Sequence, residues 1–64
     1  PTYEQEFEAF RLKREAEMEK DFADLRDGIA VEEVQRRRDE ANRRRQREIN
    51  AIRLRHGKPP LPVD

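Results

Sequence analysis

Two arginine triplets, Arg36-Arg37-Arg38 and Arg43-Arg44-Arg45, stand seven residues apart, with Arg47 just beyond and Gln35, Asn42 and Gln46 interleaved. This is the densest chemistry in the chain. A guanidinium fork grips a phosphate or carboxylate through paired hydrogen bonds, and a neighbouring carboxamide can read a base edge. These seven arginines therefore form a candidate basic surface for a polyanion or an acidic protein. Two observations weigh against the polyanion. Asp39, Glu40 and Glu48 lie within or beside the run, and the aromatics Tyr3, Phe7, Phe10 and Phe22 all lie outside it, so none is interleaved to stack on bases. The plainer use of such a run is a solvated or salt-bridged helix face.

The remaining chain supplies the opposite charge. Residues 1–34 hold eleven acids and five bases, a formal −6, and residues 35–64 hold ten bases and four acids, a formal +6. A chain divided this way can neutralise itself by folding back, pair with copies of itself, or offer its basic half to an anion.

Other chemistries find little material. There is no Ser or Cys, and the only Thr is Thr2. His56 has no second His or Cys with which to hold a metal, and fits better as a cation at a helix C-terminus. General acid–base work needs carboxylates in enclosed sites that shift their pKa, whereas these are spread among Lys and Arg. No Gly-rich loop is present. The chain is expected to be no enzyme and to need no cofactor, metal or small-molecule substrate.

Composition limits what the chain can do alone. Of its 64 residues, 47% are charged and 33% apolar, a lean core for a length at which burial is already marginal. Without disulfides or metal, the staple left is association with itself or a larger partner. A free chain that is partly disordered is the other reading of such a composition. No apolar run reaches the roughly 20 residues of a membrane span. The acidic N-terminus lacks the apolar stretch of a secretory signal, so the expected location is the cytoplasm or the inside of a virion or similar particle. Pro1 in place of Met is expected from initiator removal or excision.

The elements that must carry these residues are two helices and a tail. Thr2 and Gln5 have the spacing of a capping box, and Tyr3, Phe7, Phe10, Met18, Phe22 and Leu25 recur at helical spacing, interrupted by Arg14. Residues 1–27 thus predict an acidic amphipathic helix of about 25 residues, about 37 Å long. Asp27-Gly28 breaks it, because Gly28 suits the left-handed position after a helix end. The apolar phase then resets to Ala30, Val34, Ala41, Ile49 and Ile52. A turn at 28–29 and a basic helix over 30–56 follow, with Glu32–Arg36, Glu33–Arg37, Asp39–Arg43 and Glu40–Arg44 as supporting pairs. Gly57 ends the second helix, and residues 57–64 form an extended tail with Pro59, Pro60, Leu61 and Pro62 as its contact residues.

The fold class is all-α: an antiparallel two-helix hairpin with a Pro-rich tail, stabilised by oligomerisation or by packing on a larger partner. Folding at the turn pairs Tyr3 with His56, Phe7 with Ile52, Phe10 with Ile49, Met18 with Ala41 and Leu25 with Val34 in one register. It also sets Arg14 opposite Arg45, with Glu17 and Glu48 near as counter-charges for long side chains that snorkel. The eleven-residue spacing of each stripe implies a nearly straight or slightly right-handed pairing rather than a heptad coiled coil.

Three resemblances follow from these residues. A hairpin of this size, paired with a second copy, is similar in outline to the plasmid RNA-regulating ROP protein. The arginine run resembles the arginine-rich RNA-binding helices of phage antiterminators and lentiviral regulators. Pro59-Pro60-Leu61-Pro62 looks like a ligand of WW or SH3 domains, although a helix stop and a stiff strap on a neighbour is the simpler use. The expected function is a protein–protein interaction module, an assembly, scaffold or adaptor component of a larger complex such as a phage particle. A nucleic-acid-binding helix, for RNA more than DNA, is the alternative.

Overall fold

A computed structural model describes residues 1–62; Val63 and Asp64, the end of the expected tail, lie outside the described residues. Two helices, α1 (Tyr3–Arg26) and α2 (Val31–Arg55), pack against each other as an antiparallel hairpin. Among the described residues there is no strand.

Local chemistry sets each boundary. The Thr2 hydroxyl accepts the Gln5 N–H at 3.1 Å, and the Gln5 side chain accepts the Thr2 N–H at 2.8 Å. Two of the N-terminal donors that a helix leaves unpaired are thereby satisfied. At the other end Gly28 adopts φ 100°, where a Cβ would be strained. The Ile29 N–H returns to the Asp24 carbonyl at 2.9 Å and the Gly28 N–H to Leu25 at 3.2 Å, the paired closure of a Schellman motif. α2 ends identically: Gly57 has φ 72°, the Lys58 N–H reaches the Arg53 carbonyl at 2.9 Å, and the Gly57 N–H reaches Leu54 at 3.1 Å. The turn between the helices is residues 27–30, two longer than the expected 28–29. α2 starts at Val31 because Ala30 serves as its N-cap, with extended backbone and no side-chain bond.

The hairpin is one layer thick, with Cα extents of 43 × 24 × 9 Å. A single layer of two helices can bury only the seam between them. That seam is Phe10, Val34, Ala41 and Ile52, each 6% exposed or less. Phe7, Met18, Leu25 and Ile49 are half-buried beside it. The Tyr3 ring stands edge-on to His56 at 5.5 Å and tilted against Phe7 at 4.7 Å, closing the open end of the seam.

Two expectations are corrected here. Phe22 does not join the seam: it is 56% exposed, because helical phase carries it past Met18 to the flank while Leu25 takes the inward position. Arg14 is exposed and Arg45 turns inward, and the two line the same groove over Met18. Of the four expected acid-to-base pairs along α2, only Glu33–Arg37 forms, at 3.4 Å. Arg36 instead spans Glu33 at 2.7 Å and Glu40 at 2.9 Å, which takes Glu40 away from Arg44 and Arg36 away from Glu32. Asp39 and Arg43 make no ion pair among the described residues.

Candidate interaction face

The two flanks of the seam have opposite character. One is crossed by ion pairs along its length, with a groove of about 210 Å³ among Glu17, Asp21, Arg37 and Arg44. Glu6 meets Arg55 at 2.6 Å and also His56. Lys13 lies 3.7 Å from Glu48, Glu17 lies 3.0 Å from Arg45 and 3.9 Å from Arg44, and Asp24 lies 2.5 Å from Arg37, with Asp21 at 3.8 Å. The acids come from α1 and the bases from α2, except at Lys13–Glu48. Hydrogen bonds from His56 first, and Arg55 second, hold the Glu6 carboxyl below its usual pKa. The hydrogen bond to Asp24 is the leading cause that raises Arg37 above its already high value. Exposed pairs of this kind contribute little energy each, but a row of them fixes the register and lines this flank.

The other flank is open. Phe7, Met18, Leu25 and Ile49 are half-buried along it, and Phe22 stands out with the Arg38 guanidinium 5.8 Å from its ring centroid. A groove of about 430 Å³ runs over Met18 between Arg14, Arg38 and Arg45. A second of about 360 Å³ runs over Phe7, Phe10 and Ile49, with Glu4, Glu8 and Arg14 at its rim. Arg14 lines both. Neither Arg14 nor Arg38 has an ion-pair partner among the described residues.

The seven arginines of the expected basic surface do not form one surface. At 100° per residue, a triplet points in three directions. Arg37, Arg44 and Arg45 turn to the acids of α1. Arg38 turns to the open flank. Arg36, Arg43 and Arg47 lie on the outer side of α2, where Arg36 is held by Glu33 and Glu40. Arg43 and Arg47 are exposed and without an ion pair among the described residues. The chain thus spends most of its run neutralising itself.

Of the expected tail residues, Pro59 and Leu61 hydrogen-bond to α2 and Pro62 lines a groove beside it. The chain reverses at Gly57 and lies along α2. Asn50 accepts the Leu61 N–H at 2.7 Å and donates to the Leu61 carbonyl at 3.0 Å, and Arg53 Nε donates to the Pro59 carbonyl at 2.8 Å. The Lys58 ammonium sits 4.7 Å from the Tyr3 ring centroid. Sequence reasoning did not single out Asn50 or Arg53. Their spacing of three on a helix that precedes a proline tail was the only available signal, and it is a common one.

Among the described residues no group of three or more His, Cys, Asp and Glu is placed to hold a metal, and no helix is long and apolar enough to cross a membrane. No family model, curated protein or solved structure matches the chain.

Proposed function

We propose that the chain is a small helical protein–protein interaction module, an assembly or scaffold component that acts through the open flank of its hairpin. The observation that carries this reading is the asymmetry of the flanks. Cross-helix ion pairs line one, while the other leaves Phe22 exposed beside Arg38, Met18 in a groove between Arg14 and Arg38, and Phe7 and Ile49 in a groove beyond Arg14. An exposed apolar strip rimmed by charge is the usual form of a protein contact.

A second copy fits this flank. Turned end for end, it would bring Glu4 and Glu8 at the termini of one hairpin toward Arg38 near the turn of the other, and Phe22 toward Phe7 and Ile49. Opposite charges at the ends of an isologous contact set its orientation. The product is a four-helix bundle whose core is twice the present seam. The setting this reading carries is a cytoplasmic assembly or a particle such as a virion.

Sedimentation equilibrium with circular dichroism at 50 and 500 mM salt tests it. The wild-type chain is expected to be a helical dimer at both salt concentrations, and the Phe22→Glu chain a monomer. A wild-type monomer that instead binds RNA, losing roughly a thousandfold in affinity between 50 and 200 mM salt, would overturn the reading in favour of a nucleic-acid helix led by Arg43 and Arg47.

A further inference from the structure

The tail is strapped down by its backbone and leaves its side chains free. Asn50 takes both the N–H and the carbonyl of Leu61, and Arg53 takes the carbonyl of Pro59. The Leu61 side chain stays 48% exposed. Lys58 makes no ion pair among the described residues; its ammonium lies against the Tyr3 ring, and Arg53 donates to the Tyr3 hydroxyl at 3.3 Å. Tyr3 packs on Phe7 of the open flank, so both cations stand at the terminal end of that flank.

The turn end of α2 carries the complement. Eighteen residues of α-helix make about five full turns. Val31 therefore lies on the same line of α2 as Ile49 of the open flank, and Glu32 on the same line as Asn50, which holds the tail. Val31 is 66% exposed, more than any other large apolar side chain on the described surface. Glu32 is exposed and makes no ion pair among the described residues. This side of α2 thus ends in an apolar residue and a free acid at the turn, and in an apolar residue and a free base at the tail. Such a strip is complementary to itself when turned end for end.

We infer that the strapped tail of each copy is the dock for the turn end of α2 in a second copy, with Lys58 paired to Glu32 and Leu61 packed against Val31. Resting on the dimer reading, this dock adds the two ends of a contact whose centre is the open flank. The turn that carries Phe22 of one hairpin toward Phe7 of the other also carries Glu32, in the first turn of α2, to the end that holds Arg53 and Lys58. Pro59, Pro60 and Pro62 fix φ along the strip, so little freedom is left to lose when the second copy arrives. Asn50 and Arg53 are its positioning residues, since they set where Leu61 stands.

The two-fold symmetry of the contact supplies the test, by sedimentation equilibrium of the full chain at 50 and 500 mM salt. Glu32→Lys sets Lys against Lys at both ends of its own dimer, and Lys58→Glu sets Glu against Glu. Each variant alone should dimerise about tenfold more weakly than wild type at 50 mM salt, from two lost pairs and two repulsions. The deficit should shrink at 500 mM. An equimolar mixture of the two variants restores opposite charges at both ends and should associate as tightly as wild type. Leu61→Ser keeps the backbone groups that Asn50 holds and should weaken the dimer about fivefold at both salt concentrations. If the wild-type chain is a dimer and the mixture associates no better than either variant alone, the dock is overturned and the dimer reading stands. Unchanged association of Leu61→Ser also overturns the dock. A monomeric wild-type chain defeats the dock and the dimer reading together.

Discussion

Arg45 crosses the hairpin to place Nη2 3.0 Å from the Glu17 carboxylate, while its Nε is enclosed without a hydrogen-bond partner among the described residues. Its side chain is 15% exposed, so this is the most enclosed cation of the ion-paired set. A half-satisfied inward charge costs more than a matched apolar pair of similar volume. Arg45→Met combined with Glu17→Leu is therefore expected to hold stability level or raise it by about 1 kcal/mol. Glu17→Ala alone, which strands the guanidinium, should lower it by about 1 kcal/mol. Urea unfolding followed by circular dichroism separates the two, and a double variant less stable than the single one would refute the argument.

Both helices depend on a glycine at the same position of the same motif. A Cβ at Gly28 or Gly57 would meet nothing within 4 Å, so the cost of replacing either is backbone strain alone. Gly28→Ala and Gly57→Ala should each cost about 1–2 kcal/mol, the penalty of a left-handed L-residue, and Gly28→Asn distinctly less. Gly57→Ala should also lift the tail, which nuclear magnetic resonance would report as loss of exchange protection at the Leu61 N–H.

The hairpin was legible in the sequence because its signals are local. Thr2 with Gln5, Gly28 and Gly57 are punctuation that acts within a few residues, and the phase reset between Leu25 and Val34 requires a turn. The register also followed: Tyr3 does meet His56. What resisted reading was the choice among near neighbours. Nothing in the sequence ranks Glu33 over Glu32 as the partner of Arg36, since rotamers and competing acids decide. Phe22 looked like a core residue because the sequence period does not fix how wide a stripe a single partner helix can cover. The Asn50–Leu61 grip depends on how the chain leaves Gly57, a tertiary fact with no local signature. The candidate face was read only as a list of apolar residues, and its asymmetry emerged once the ion pairs took sides.

The division of the arginine run makes a prediction that separates its members. Arg38→Ala alters only the open flank, where the guanidinium lies against Phe22. Arg43→Ala and Arg47→Ala alter only the outer side of α2. All three should leave helicity and monomer stability within about 0.5 kcal/mol of wild type, as exposed changes do. Only Arg38→Ala should weaken self-association, and its effect should shrink as salt rises. Equal weakening by Arg43→Ala, measured by sedimentation equilibrium, would move the contact to the outer side of α2.

Acid should unfasten the hairpin first at its open end. Glu6 accepts from both Arg55 and His56, and these hydrogen bonds depress its pKa below 4.5. The folded state therefore favours the carboxylate more than the unfolded chain does. Its stabilisation is complete above about pH 4.5 and is lost as pH falls through the depressed folded value. Glu8 and Glu33, lowered by Arg11 and Arg36 respectively, act in the same direction but within single helices. Carbon-detected titration should place the Glu6 midpoint below that of an unperturbed glutamate. The Tyr3 and His56 ring signals, which report closure of that end, should shift with the Glu6 midpoint. Glu6→Gln should remove this part of the acid sensitivity and leave the signals of Val34 and Ala41, near the turn, unmoved. Ring signals that follow the bulk unfolding of the chain instead would refute Glu6 as the fastening of that end.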